Sequence, residues 1–143
     1  MKITNHLKSP KKFDIEDLLN FCAKELNISE DVTITLIQNK KLLCNISNDV
    51  EFEAILSNPF YKSYILYTKD DIVSQYVICH EMIHMSQYER GDLKMSSDFS
   101  KITWKGKMFD NSMSYDKREW EQEAFSKQNA LWKKFKQTIK KKK

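Results

Sequence analysis

Residues 72–90 read IVSQYVICHEMIHMSQYER, and the rest of the chain is organised around this segment. Ile72, Tyr76, Cys79 and Ile83 recur at helical spacing, so the segment is expected to form a helix with an apolar face. Asp70 and Asp71 offer an N-cap and negative charge for its first turn. Gly91 offers a C-terminal stop. Inside the helix lies His80-Glu81-Met82-Ile83-His84, the pattern HExxH. Histidines at i and i+4 share one helix face about 6 Å apart, close enough for both imidazoles to bind one Zn²⁺. Glu81 is turned about 100° from His80. It can face the remaining coordination position and take a proton from a metal-activated water.

A catalytic zinc site wants a third protein ligand. No histidine follows His84, and His6 is remote in sequence. The third ligand is therefore expected to be a carboxylate on a later element. Arg118-Glu119-Trp120-Glu121-Gln122-Glu123-Ala124 opens the last expected helix, about residues 117–136. On a helical wheel, Trp120, Ala124, Phe125, Leu131, Trp132 and Phe135 fill an arc of about 140°. Glu121 falls inside that arc, whereas Glu119 and Glu123 fall on the polar face. A carboxylate on a buried face needs a cation or strong donors to offset its desolvation. Glu121 is thus the expected ligand and Glu123 the fallback. A buried ion pair of Glu121 with Arg118 or a lysine is the alternative. Tyr115 and Arg118, just upstream, are candidate catalytic donors to the oxyanion of a tetrahedral intermediate. Cys79 is expected in the core, Tyr88 as a packing aromatic, and Trp104 either in a cleft wall or in an exposed pair with Lys107.

Working outward, residues 1–12 look irregular. Asp14 caps a helix running to about Asn27. Val32–Gln38 alternates as a strand, Leu42–Ile46 is its candidate partner, and Lys62–Thr68 is a third strand. Residues 47–61 are ambiguous, with a helical turn possible at Glu51–Leu56. Residues 92–100 read as a loop. Ile102–Trp104 and Lys107–Phe109 flank Lys105-Gly106 as a tight hairpin. The expected fold class is α+β, a small mixed or antiparallel sheet packed on the HExxH helix. The last helix should cross that helix at the metal.

At 143 residues, 41% hydrophobic and 31% charged, the chain suits one globular domain. No apolar run reaches the roughly 20 residues that span a bilayer, and Met1–His6 lacks the apolar stretch of a signal peptide. Cys22, Cys44 and Cys79 show no CxxC spacing, so a cytoplasmic, reducing compartment is expected. Seven lysines crowd residues 133–143, and without them the net charge of +4 becomes −3 for residues 1–132. A metal-binding domain over 1–132 and a lysine-rich tail over 133–143 follow. Nucleic acid is expected only as a weak contact through that tail, and no membrane partner is expected.

HExxH combined with the later Glu121-Gln122-Glu123-Ala124 resembles gluzincin-type zinc metallopeptidases, closest in size to the compact ImmA/IrrE family. CHEMIHMSQ, ITWKGKMF and REWEQEAF also resemble small metallopeptidase-like proteins of bacteriophages. The likeness covers about residues 62–130. It implies a zincin-like fold, a Zn²⁺ cofactor held by His80, His84 and Glu121, and Glu81 as general base. It further implies a protein or peptide substrate and the cytoplasm of a bacterial or phage-infected cell. In such folds the region of strand Lys62–Thr68 lies along the cleft, where an edge strand can bind an extended peptide. Gluzincins often carry Asp four residues after the ligand Glu to orient a zinc-bound histidine; that position here is Phe125. A catalytically inactive, zinc-stabilised binding or phage accessory protein is the competing expectation.

Overall fold

A mixed sheet holds four strands, β1 (Lys2–Asn5), β2 (Thr33–Gln38), β3 (Ala54–Phe60) and β4 (Ser63–Thr68), with the clearest period-two burial in β2 and β4. A computed structural model describes residues 1–46, 53–110 and 112–141. The strand order is β1-β2-β4-β3, parallel at the first two pairings and antiparallel in the β3–β4 hairpin. Ile34, Leu36, Leu56, Tyr64 and Leu66 are all buried, so one sheet face forms the floor of the core. Leu66 sits centrally, in register with Leu36 on one side and Leu56 on the other.

Three of the four helices among the described residues complete this core: α1 (Ile15–Glu25), α3 (Gln75–Glu89) and α4 (Glu119–Lys141). Asp14 caps α1 by accepting from the Asp17 N–H at 3.0 Å, and Ile15, Leu18, Leu19 and Cys22 are fully buried. A second sheet, β5 (Leu93–Met95), β6 (Lys101–Trp104) and β7 (Lys107–Asp110), is inserted between α3 and α4. Its hairpin turns at Lys105 and Gly106, with φ of 48° and 83°. Two consecutive positive φ values are what a two-residue turn between right-twisted strands requires.

Helix α3 packs against α1, α4, β3 and β5. The expected apolar face is therefore an underestimate: an unbroken run from Ile78 to Met85 is buried. A helix buried on nearly every side is a central strut. Its polar residues, His80, Glu81, His84 and Gln87, must then find partners inside the protein.

Several sequence expectations are corrected. Residues 2–5, expected to be irregular, form β1, because the exposed edge of β2 supplies a parallel partner for a segment with a single large apolar residue, Ile3. Leu42–Ile46 is not a strand but part of helix α2 (Lys40–Ile46), capped by Asn39, whose side chain accepts from the Leu42 N–H at 3.1 Å. Of the turn expected at Glu51–Leu56, Glu51 and Phe52 lie outside the described residues, while Ala54–Leu56 belong to β3. Loop 92–100 contains β5. The N-cap of α3 is Ser74, not Asp70 or Asp71; Asp71 instead pairs with Lys8 at 3.3 Å. Strand β4 is interior, and β3 is the sheet edge beside α3. Helix α4 continues through residues 133–141, with Phe135 buried and Ile139 packed on the core.

The position of Leu66 generates a stability prediction. It is 1% exposed at the centre of the sheet, so Leu66→Ala should cost about 2–5 kcal/mol. Urea denaturation checks this; a loss below about 1 kcal/mol would mean that the floor of the core lies elsewhere.

Candidate metal centre

One turn of α3 and the first turn of α4 meet at three atoms. His80 Nε2 and His84 Nε2 are 3.1 Å apart, and Glu121 Oε1 lies 2.8 Å from the first and 2.6 Å from the second. Donor atoms of His80, Glu81 and His84 also lie within 4.8 Å of one another. All four residues are buried, between 7% and 8% exposed. The structure therefore brings together HExxH and the carboxylate expected from the helical wheel.

The hydrogen bonds behind the imidazoles fix which nitrogens carry protons. The Gln87 side-chain N–H group donates to the Trp120 carbonyl at 2.9 Å and to Glu123 Oε1 at 3.1 Å. Its Oε1 must then face His84 Nδ1, at 2.7 Å, and accept a proton from it. With Nδ1 as the donor, Nε2 is the nitrogen left to take a cation, either a proton or a metal ion. At His80, Nδ1 likewise meets Gln128 Oε1, at 2.8 Å. Two imidazole Nε2 atoms and a carboxylate oxygen thus converge among the largely buried residues that line the cleft. Such a group is stable only around a cation, either protons or a metal ion.

The donor set fits Zn²⁺: two imidazoles and one carboxylate, with a fourth position left over. A tetrahedral ion with bonds of about 2.0–2.1 Å holds its donors roughly 3.3 Å apart. Opening the cluster takes side-chain shifts under about 1 Å. Cys22 and Cys79 are buried and contact each other at 4.0 Å, and neither belongs to the cluster.

Electrostatics support the same picture. Burial alone would lower the His84 pKa, but the Glu121 carboxylate against its Nε2 outweighs that and raises it from 6.5 to about 9. Burial opposes ionisation of Glu121 too, yet the two imidazoles hold its carboxyl well below the usual range. Burial pushes Glu81 up, against a hydrogen bond from the Leu56 backbone N–H that favours its anion.

The remaining candidates divide. The Tyr115 phenol hydrogen-bonds Glu121 and stacks edge-on with Phe125, their centroids 5.8 Å apart. Arg118 lines the same cleft and donates from Nε and Nη2 to the Met113 carbonyl, at 3.2 and 3.0 Å. Glu123 is not in the donor cluster: it accepts from Gln87 and from Arg90 Nη2, the latter at 2.7 Å. It anchors the amide that orients His84. Glu119 accepts from Trp104 Nε1 at 2.9 Å. Trp104 is buried, so the exposed pair with Lys107 is not formed, although the two are in register. Tyr88 donates to the Leu56 carbonyl at 3.2 Å. Phe125, expected on the buried face, is 51% exposed and packs its ring on His80.

Gln87 and Gln128 were not singled out from sequence. A usable signal existed: Gln87 is three residues after His84, and Gln128 is seven after Glu121, so each shares a helix face with a ligand candidate. Comparison with known proteins finds no matching family model, no matching curated protein and no matching solved structure.

Two predictions follow from this geometry. One equivalent of Zn²⁺ should bind the wild-type chain, and Glu121→Ala should weaken it by orders of magnitude. Gln87→Leu should cost about 10–100-fold in affinity, and Glu123→Ala less than that. Chelator competition checks the order; a larger loss in Glu123→Ala than in Glu121→Ala would reverse the assignment. The second concerns pH. A histidine whose folded pKa is raised stabilises the fold below its unfolded value and ceases to do so as pH rises through the folded one. Metal-free protein should therefore lose stability between pH 6.5 and about 9. Zinc affinity should rise across the same window, because zinc displaces that proton. Urea midpoints in EDTA that stay flat or rise would contradict the arrangement.

Proposed function

We propose that this protein is a zinc-dependent metallopeptidase of gluzincin type, with His80, His84 and Glu121 as metal ligands and Glu81 as general base. The observation that carries the reading is the convergence of His80 Nε2, His84 Nε2 and Glu121 Oε1 beside a buried glutamate, in a cleft that also holds Tyr115 and Arg118. The mixed sheet, the HExxH helix against its β3 edge and the carboxylate from a later helix all suit a zincin-like fold. The resemblance of CHEMIHMSQ and REWEQEAF to gluzincins and to phage metallopeptidase-like proteins supports the same reading.

When bound, Zn²⁺ supplies a Lewis acid and brings the pKa of a water near neutrality. The protein's own groups supply the rest. Gln87 and Gln128 hold both imidazoles in the Nδ1–H form, presenting Nε2. Glu81, whose proton affinity burial raises, takes the proton of the attacking water and delivers it to the leaving amine. Tyr115 and Arg118, which line the same cleft, are the candidate donors to the developing oxyanion.

A peptide or protein substrate follows from this chemistry. Three free cysteines suit a reducing, cytoplasmic compartment. Among the described residues, no helix is long and apolar enough to cross a membrane. One observation favours a second reading, a zinc-stabilised binding protein without turnover: both oxyanion candidates already have partners, Arg118 in the Met113 carbonyl and Tyr115 in Glu121.

Glu81→Gln separates the two. The peptidase reading expects cleavage of a casein or mixed-peptide substrate by the zinc-loaded wild type, and at least a 10²-fold lower rate in the variant with zinc still bound. Equal cleavage by both proteins would remove Glu81 as the base. Absence of cleavage by a fully zinc-loaded wild type would favour the binding protein.

A further inference from the structure

The cleft of about 370 Å³ is bounded by the edge strand β3 on one side and by the second sheet on the other. The second-sheet side is apolar: Leu93, Met95, Phe99 and Ile102 line it, together with Trp120 from α4. Phe99 stands out within it. Its φ is 62°, in the left-handed region that favours glycine and disfavours a bulky side chain.

A hydrogen-bonded turn holds Phe99 there. The Phe99 N–H donates to the Ser96 carbonyl at 3.0 Å. Asp98 Oδ1 accepts from Ser96 Oγ at 2.7 Å, from the Ser100 N–H at 3.0 Å and from Ser100 Oγ at 2.6 Å. A glycine would meet the backbone requirement of this turn without strain. The ring is instead half-buried and lines the cleft that contains the metal-ligand candidates. Strain that is over-determined by its surroundings and ends in a side chain at a site points to a role for that side chain.

We propose that Phe99 is a specificity-determining residue, and that the pocket it forms with Met95 and Ile102 takes a large uncharged side chain of an extended peptide substrate. This rests on the peptidase reading for its chemistry. A lysine or aspartate side chain would lose its hydration against that wall and find no polar replacement in it. A small side chain would leave the pocket unfilled. Discrimination between a large apolar residue and alanine next to the scissile bond should reach about 10–100-fold in kcat/KM.

The test uses the zinc-loaded full chain and fluorogenic peptides that differ only at the residues flanking the scissile bond. Wild type is compared with Phe99→Gly, which removes the ring and also relieves the positive φ. A thermal midpoint at or above that of the wild type shows that Phe99→Gly folds. The expected result is a wild-type preference for Phe, Leu or Met over Ala, Lys and Asp, reduced to within about threefold in Phe99→Gly. Cleavage without apolar preference, or a preference unchanged in Phe99→Gly, would overturn the proposal. If the wild type cleaves nothing, the peptidase reading fails, and the pocket is judged by NMR titration with N-acetyl-phenylalaninamide and N-acetyl-lysinamide. Selective shifts at Met95, Phe99 and Ile102 with the first, lost in Phe99→Gly, support the pocket. Equal or absent responses overturn it.

Discussion

Three potential ligand atoms, His80 Nε2, His84 Nε2 and Glu121 Oε1, lie within 3.1 Å of one another beside the cleft, and they set the terms for the rest of this protein. Two imidazole nitrogens and a carboxylate oxygen repel unless a cation sits among them. The fold nevertheless drives them together. Apolar neighbours enclose α3 from Ile78 to Met85, and Trp120 and Ala124 bury the face of α4 that carries Glu121. The hydrophobic effect thus assembles a site that hydrophobic residues alone would never favour.

The orientation of the site is built from amides rather than carboxylates. Gln87 stands between His84 and the Glu123–Arg90 pair, so its amide polarity is set from outside the site. Gln128 plays the corresponding part at His80, two turns beyond Glu121 on α4. Neutral amides fix the tautomer without adding negative charge. Among the described residues, Glu121 then remains the one carboxylate in direct contact with the imidazoles, which would preserve the electrophilic character of a bound divalent ion. The ring of Phe125, where a carboxylate would be expected by analogy with gluzincins, covers His80 instead.

Much of this was legible in the chain. HExxH fixed two donors through helix geometry alone. The wheel distinguished Glu121 from Glu119 and Glu123 because its argument depended on burial, and burial is what α4 delivers. Strand β2 was visible because its β-branched alternation is strong, and β4 because it is rich in Tyr, Ile and Thr. What escaped notice was set by tertiary context. Strand β1 has too few apolar residues to announce itself and forms because β2 offers a parallel edge. The apolar run Leu42–Leu43-Cys44 fits strand or helix equally, and the Asn39 cap decides it. Gln87 and Gln128 are ordinary helix residues until the second helix arrives. The role of β4 as a cleft edge was misassigned because β3 folds back alongside it and takes that position.

X-ray absorption at the zinc edge of the metal-loaded protein tests the central claim most directly, since it reads the donor set without reference to activity. The account predicts a first shell of nitrogen and oxygen alone at about 2.0–2.1 Å, with the outer-shell scattering of two imidazoles. That scattering should fall to one imidazole in His80→Ala or His84→Ala. A sulfur contribution at about 2.3 Å, or an imidazole count unchanged by both substitutions, would contradict it.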